Sequence, residues 1–265
     1  MKQVIKAAMI VMTAFVGFTS CKKEAVESNA NNERVPAETG QTASFILARN
    51  LVKKGTDSLV YNAGGTLTKV IYSPIRYVSY QKSGNKLTAS TYENNQLYSK
   101  EVYKLENGRV TESVFTSYEY NIGISKTWWY DYDNKGRLTE KYNKDNTAER
   151  IKYSWSDPAT LHEIKFFSAD DKLVTVVNFQ RHGKADKLKL NPVRSGLDPY
   201  LKIFGVPCNI LATGETITYP LAPAYNFTES FVYTYDREGY PMKMDIYKLA
   251  ANWELTGTQN FSYVN

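Results

Sequence analysis

The sequence predicts an all-β domain, an antiparallel meander of repeated hairpins that forms a strongly curved open sheet or a barrel. Tyrosine is abundant, with 21 among 265 residues, and aromatic and β-branched side chains favour pleated, half-buried strands. A short phrase with a tyrosine and a glycine turn recurs along the chain, and no helix-length amphipathic run separates most of its copies. Composition and repetition therefore point to the same fold class.

The clearest copy of the phrase spans residues 130–140, Tyr-Asp-Tyr-Asp-Asn-Lys-Gly-Arg-Leu-Thr-Glu, and residues 233–243 match it. Other copies begin at Tyr61, Tyr80 and Tyr103, and weaker ones surround Gly183 and residues 157–158. The polar residues and the glycine are typical of a turn that needs a positive φ, and the flanks alternate apolar and polar as strands do. Each phrase therefore predicts a β-hairpin.

Residues 150–155 show the alternation directly, because Ile151, Tyr153 and Trp155 fall on one face of the predicted strand and the polar residues between them on the other. A single hairpin of this length is not stable alone in water. Successive hairpins are therefore expected to pair into one sheet.

These tyrosine phrases resemble the YD repeats of Rhs-type proteins. Taken with the start of the chain described next, they are more similar still to an uncharacterised family of Bacteroidetes lipoproteins, a domain of unknown function with a porin-like fold. The resemblance covers residues 56–190 and 215–265 and implies a curved antiparallel sheet. It implies no activity.

The first 20 residues predict a lipoprotein signal peptide. Lys2 and Lys6 precede an apolar run at residues 7–18 that is too short to remain as a transmembrane helix. The small Ser20 stands directly before Cys21, although Phe18 replaces the more usual leucine. We therefore expect Cys21 to be the lipidated first residue of the mature protein. The alternative is an ordinary secretory peptide that is cut elsewhere.

Residues 21–42 contain almost no large apolar side chain and predict a disordered tether that begins at the lipidated Cys21. Residues 43–265 are enough for one all-β repeat domain with its own core. The expected location is the cell envelope, with the acyl chains of Cys21 in the outer membrane. Cys208 is the second of two cysteines, so no internal disulfide is expected once Cys21 is acylated.

The formal charge of +6 includes lysines in the leader and beside Cys21, and no run of five or more basic residues occurs. This pattern argues against a nucleic-acid partner.

A Pro-rich stretch at residues 190–228 departs from the repeat. Asp198 and Pro199 are placed as the N-cap and first residue of a short helix that continues through Tyr200 and Phe204. A loop of this length is either functional or a plug over one end of the sheet. Because the apolar residues of this stretch need burial, we expect the plug.

No motif for catalysis, a metal or a cofactor is found. His162 is expected to pack on a strand and His182 to lie in a turn, and Cys208 has neither a second cysteine nor a nearby histidine to complete a metal site. We therefore predict no catalytic residues, no metal and no cofactor.

The aromatic residues are the candidates for ligand binding, because tyrosine and tryptophan are favoured both in cores and at binding surfaces. Successive strand residues point to opposite faces, so Trp128 and Trp129 cannot line one surface and one of them is expected in the core. The tentative ligand-binding set is Trp128, Trp129, Tyr130, Tyr132 and Trp155.

The leading hypothesis is a noncatalytic, membrane-anchored module that binds a glycan or a protein. A structural component that pairs with another chain through free sheet edges is the first alternative. An outer-membrane pore and a glycosidase that uses two carboxylates are the others.

Overall fold

A computed structural model describes residues 49–119, 123–156, 159–249 and 252–264. The predicted signal peptide, Cys21 and the tether up to residue 42 lie outside the described residues. The described chain forms a closed barrel of 16 antiparallel strands. No helix within the described ranges is long and apolar enough to cross a membrane.

The strands are, in chain order, β1 (Asn50–Lys54), β2 (Asp57–Tyr61), β3 (Leu67–Ser73), β4 (Arg76–Ser83), β5 (Lys86–Glu93), β6 (Gln96–Glu106), β7 (Arg109–Ser117), β8 (Ile124–Tyr132), β9 (Leu138–Asn143), β10 (Arg150–Ser156), β11 (Thr160–Phe167), β12 (Leu173–Ala185), β13 (Ile210–Thr218), β14 (Phe227–Tyr235), β15 (Pro241–Leu249) and β16 (Trp253–Val264).

Each strand pairs with its neighbours in sequence, and β1 closes the barrel against β16, where Asn50 lies opposite Val264. The predicted all-β meander is confirmed, and of its two forms the structure is the barrel. Closure also corrects the free-edge alternative: every strand of the described chain is paired on both sides, so none offers the open edge that strand addition requires.

The strands run alternately up and down, so the connections fall into two sets at opposite ends. The turns β2–β3, β4–β5, β6–β7, β8–β9 and β14–β15 lie at one end, here called the turn end. The connections β1–β2, β3–β4, β5–β6, β7–β8, β9–β10, β11–β12, β13–β14 and β15–β16 lie at the other, here called the far end.

Three of the turn-end hairpins share one hydrogen-bond pattern. The side-chain oxygen Oδ1 of Asp133 accepts the backbone N–H groups of Lys135 and Arg137, at 3.0 and 2.9 Å. Asp236 accepts the N–H groups two and four residues later in the same way, and so does Asn62. A glycine with positive φ completes each turn. This pattern explains why the phrase needs Asp or Asn followed by glycine.

One weaker copy is not a turn. Gly183 lies inside β12, where the φ of +65° accompanies an irregular register against β13.

The inner face of the wall carries the core. Ile151 and Tyr153 are buried and Trp155 packs against them, which confirms the predicted alternation of β10. Other inward residues with almost no exposure are Val70, Val110, Leu138, Ile164 and Ile217.

Residues 186–209 form a plug inside the barrel. Plug residues make hydrogen bonds to β2, β4, β7, β9, β10 and β14, around most of the circumference, which is geometrically feasible only from within. Leu188, Tyr200, Leu201, Phe204 and Cys208 join the core of the wall. The burial predicted for the apolar residues of the Pro-rich stretch is confirmed, but the plug lies inside the barrel rather than over one end of it. Residues 210–218 of the predicted excursion belong to the wall as β13.

The helix predicted at Pro199 is wrong. Asp198 does accept the N–H of Tyr200 as an N-cap would, at 2.9 Å, but no helix follows. The carbonyls that a helix would use are bound elsewhere, because Asn191 donates to the carbonyl oxygens of Pro199 and Leu201, and Val110 donates to that of Ile203. A short 3-10 helix lies instead at Pro223–Tyr225, in the β13–β14 connection.

Two tyrosine–carboxylate pairs tie the plug to the wall in opposite directions. Tyr80 of β4 donates to Asp198 of the plug at 2.7 Å, and Tyr200 of the plug donates to Asp57 of β2. Burial raises the pKa of both carboxyl groups. Each tyrosine therefore supplies a donor to a carboxylate that has lost most of its water.

Candidate functional site

Strand β8 carries four of the five predicted ligand-binding residues and separates them by face. Trp128, Tyr130 and Tyr132 point inward, where Tyr130 is 5% exposed and the other two pack against the core. Trp129 points outward and is 37% exposed. The expectation that one of the adjacent tryptophans belongs to the core is met by Trp128.

The inward residues have structural hydrogen bonds. The hydroxyl of Tyr132 donates to the carbonyl of Val110 at 2.8 Å, and Nε1 of Trp155 donates to the carbonyl of Leu138 at 2.6 Å. The structure therefore does not bring the five predicted residues together on one surface, and the ligand-binding role of the set stays a prediction.

Trp129 is the centre of a row of outward side chains that crosses six strands in register. The row, here called the aromatic strip, consists of Lys104, Glu112, Trp129, Tyr142, Arg150 and Phe167 on β6 to β11. Five strand spacings of about 4.8 Å give it a length of about 24 Å. It runs across the strands on the outer wall.

Contacts within the strip fix the aromatic rings. Nε1 of Trp129 donates to Glu112 at 3.0 Å, and the ring of Tyr142 meets that of Trp129 edge to face at 5.9 Å. The Lys144 ammonium lies 5.2 Å from the centre of the Trp129 ring. The guanidinium of Arg150 stacks over Phe167 at 4.4 Å. These contacts hold the indole in one orientation without burying it.

A shallow cavity of about 310 Å³ lies beside Trp129. Its polar lining includes Lys104, Glu106, Glu112 and Asp131, and Tyr142 closes one side. Burial, with the neighbouring Asp131 and Glu140 carboxylates, raises the pKa of the Tyr142 phenol, so the hydroxyl stays protonated and remains a donor. The cavity thus combines an aromatic edge with fixed hydrogen-bond acceptors and donors.

Sequence reasoning missed Glu112 and Tyr142, although both flank Trp129. Their proximity depends on the register of β7 and β9 against β8, where Glu112 and Tyr142 each lie opposite Trp129. The turn phrase around Gly136 was a usable signal for β8 against β9. No comparable phrase sets the register of β7 against β8.

The histidines lie away from the strip's centre. His162 is exposed, because a bulge opposite Trp155 places Leu161 on the inner face where His162 was expected. His182 is also exposed, near the end of β12. Cys208 is a buried free thiol whose Sγ lies 3.3 Å from the carbonyl oxygen of Ile210. Across the described ranges, no group of three His, Cys, Asp or Glu side chains could hold a metal ion.

Comparison with known proteins identifies the fold and nothing finer. No family model matches the chain, and no curated protein matches it. Several solved structures share this fold, among them two from Bacteroides. One is a porin-like protein from Bacteroides uniformis, with 15% identity over 78% of this chain and 89% of that one and a TM-score of 0.56. The other is a porin-like protein from Bacteroides vulgatus, with 16% identity, coverages of 81% and 98%, and a TM-score of 0.54.

The porin-like fold implied by the repeat phrases is therefore confirmed, at an identity that carries the fold alone.

Proposed function

We propose that this chain is an envelope lipoprotein, anchored in the outer membrane at Cys21, that binds a glycan noncatalytically along the aromatic strip. The observation that carries the proposal is the outward, exposed Trp129 held between Glu112 and Tyr142. The anchor rests on the leader sequence described above.

The chemistry of the strip suits a sugar chain. The apolar face of a pyranose ring packs on an exposed aromatic ring, and its hydroxyls need directional acceptors and donors nearby. Glu112, Asp131 and Lys104 supply charged partners around the cavity, and charge-assisted hydrogen bonds are the stronger kind. A length of about 24 Å accommodates several sugar residues lying across the strands.

The outer wall argues against a membrane-spanning pore. Lys152, Glu163 and Lys165 lie side by side on the outer face of β10 and β11, well within the strands. Basic side chains at the bilayer midplane cost about 2–4 kcal/mol each on a lipid-facing barrel wall. The plug also occupies the lumen. We therefore propose that the outer wall of the barrel faces water.

The test is a glycan array probed with the full chain, followed by calorimetry on any glycan that binds. Trp129→Ala should abolish binding, whereas Tyr77→Ala, which removes an outward aromatic ring on β4, should leave it unchanged. Thermal unfolding of both variants checks that the barrel is intact. Equal binding by the two variants, or binding by neither variant nor wild type, overturns the proposal.

The two remaining alternatives have separate readouts. Release of reducing sugar from a bound glycan, lost in Glu112→Gln, would replace the noncatalytic reading by a carboxylate-dependent glycosidase. If the chain captures a protein through Trp129 and has no affinity for glycans, the ligand is a protein and not a glycan. Mass measurement of the mature N-terminus tests acylation of Cys21.

A further inference from the structure

Exposed apolar side chains concentrate at the far end of the barrel. Of the 15 large apolar residues that are exposed within the described ranges, nine lie on or beside the far-end connections. They form what is here called the far rim: Ile75, Leu97, Tyr118, Ile124, Leu221, Tyr225, Leu249, Trp253 and Leu255. Leu221, Tyr225 and Ile124 are each at least 60% exposed.

The turn end of the barrel is more polar. Its hairpin turns at residues 62–66, 83–86, 106–109, 133–137 and 236–240 consist of Asn, Gly, Asp, Lys, Arg, Glu, Ser and Thr, with Ala63 and the buried Tyr240, and contain none of the 15 exposed apolar residues. The two ends of the barrel therefore differ in hydrophobicity. Three of the 15, Val60, Met242 and Val264, lie near the turn ends of their strands, against nine at the far end. Scattered single apolar residues are normal on a protein surface, but such a concentration at one end is not.

The far rim is nearly continuous around the barrel. Its residues sit on the connections β13–β14, β15–β16, β3–β4, β5–β6 and β7–β8, which follow one another across the β1–β16 closure. Only the two-residue turn between β1 and β2 interrupts this arc. The polar connections β9–β10 and β11–β12 complete the circle, with Lys172 paired to Asp170.

The plug leaves the mouth enclosed by the rim open to water. Plug residues 193–196 reach the far half of the lumen, because Arg194 bonds Glu229 near the start of β14 and Lys141 donates to the carbonyl of Gly196. Val193 is nonetheless 53% exposed. The apolar side chains are therefore separate tips around an opening and do not form a flat, contiguous face.

We propose that the far rim rests on a lipid bilayer, with its apolar tips in the interfacial layer and the barrel standing in water. Trp253, Tyr225 and Tyr118 are of the residue types enriched at membrane interfaces, and Leu and Ile supply the apolar contact. A planar bilayer touches all tips of an arc at once without filling the mouth, which a compact protein partner does not.

The length of chain before the barrel is compatible with this orientation. Residues 22–48 separate Cys21 from Arg49, which precedes β1 at the turn end. An extended chain of that length spans about 90 Å, and a nine-residue strand about 30 Å. The anchor can therefore reach the bilayer on which the far end rests. This inference uses the anchor of the proposed function but not its glycan site.

The experiment compares two spin labels on the full chain in vesicles of phosphatidylethanolamine and phosphatidylglycerol. The label is attached at Leu221→Cys on the far rim or at Ala63→Cys in a turn-end hairpin, and the buried Cys208 stays unlabelled. Cys21 is blocked by its acyl chain, and where mass measurement shows it unacylated, Cys21→Ser keeps the label from that position. We expect the ratio of oxygen to nickel-chelate accessibility to be several-fold higher at 221 than at 63 in vesicles, and equal without them. A Tyr225→Ser, Trp253→Ser background should remove most of that difference.

Equal ratios at the two positions in vesicles would overturn the inference, as would a higher ratio at 63. A label at 221 that is immobilised yet nickel-accessible would identify a protein partner or a second copy and would also overturn it. Either the acyl chains or the apolar leader carries the chain into the vesicles, and mass measurement tells these apart. Loss of the lipid anchor and loss of rim contact with the bilayer are thus distinguishable. Trp129→Ala should change neither the acylation of Cys21 nor the accessibility ratios.

Discussion

The phenol of Tyr80 on the barrel wall donates a 2.7 Å hydrogen bond to the Asp198 carboxylate of the plug. Tyr80 is 7% exposed, and the same carboxylate accepts the N–H of Tyr200 at 2.9 Å. The phenol and the carboxylate are both shielded from water, so their hydrogen bond links the wall to the plug. Removing this hydrogen bond should lower the free energy of unfolding.

Tyr80→Phe should lower the free energy of unfolding by about 1.5–3 kcal/mol, because it leaves a buried carboxylate short of one donor. Tyr77→Phe is the matched control, since that tyrosine lies outward on the same strand and should change stability by less than about 0.5 kcal/mol. Urea denaturation followed by tryptophan fluorescence measures both. A similar loss in the two variants would show that the Asp198 bond contributes nothing.

The pH dependence of stability should reveal the buried Asp198. Burial raises the pKa of its carboxyl group, so the folded state binds the proton more tightly than the unfolded state. The stabilisation that comes from this tighter proton binding is fully present below the unfolded pKa. It is lost as the pH rises through the folded pKa. The stability of wild type relative to Asp198→Asn should therefore rise as the pH falls through the folded pKa towards the ordinary value of 3.8. A pH-independent difference would contradict this assignment.

Gly205 should tolerate no side chain. Its φ is +84°, and an added Cβ would lie 2.4 Å from the carbonyl oxygen of Gly136 and 2.8 Å from the Tyr132 ring. Gly205→Ala should cost about 2–5 kcal/mol, from the left-handed backbone and the overlap together. Gly84→Ala, at a φ of +57° with open space, should cost only about 1 kcal/mol. Equal melting temperatures for the two variants would exclude close docking of the plug on this turn.

The shared turn pattern predicts an asymmetry at Asp133. Asp133→Ala removes the acceptor of two backbone N–H groups and should cost about 1–2 kcal/mol. Asp133→Asn keeps the acceptor, as Asn62 does in the first hairpin, and should cost about 0.5 kcal/mol. Chemical denaturation distinguishes them. If Asn were as costly as Ala, the ion pair with Arg137 would be the dominant contribution.

Local features were predictable from the sequence, and features that depend on distant partners were not. The hairpins at Asn62, Asp133 and Asp236 are specified within five residues, and the phrase identified them. The missing helix at Pro199 depends on Asn191 and Val110, which take its carbonyls from outside the segment. Local propensity around Asp198 gave no sign of either donor.

The candidate site divides in the same way. Alternation separated Trp128 from Trp129, since it follows from the geometry of one strand. The neighbours Glu112 and Tyr142 follow from interstrand register, which a bulge shifts by one residue, as the exposure of His162 shows. The sequence did not decide between an open sheet and a closed barrel, because the alternation within a strand is the same in both.

The closing seam between β1 and β16 also constrains how the chain folds. Asn50 and Val264 must meet across almost the whole described sequence, and pairing over such a separation is slow because the entropy of ordering the chain is lost first. The plug must enter while the wall is still incomplete, since its bonds reach strands around most of the circumference. The plug is therefore enclosed before β1 and β16 pair, and the last strands of the barrel close around it.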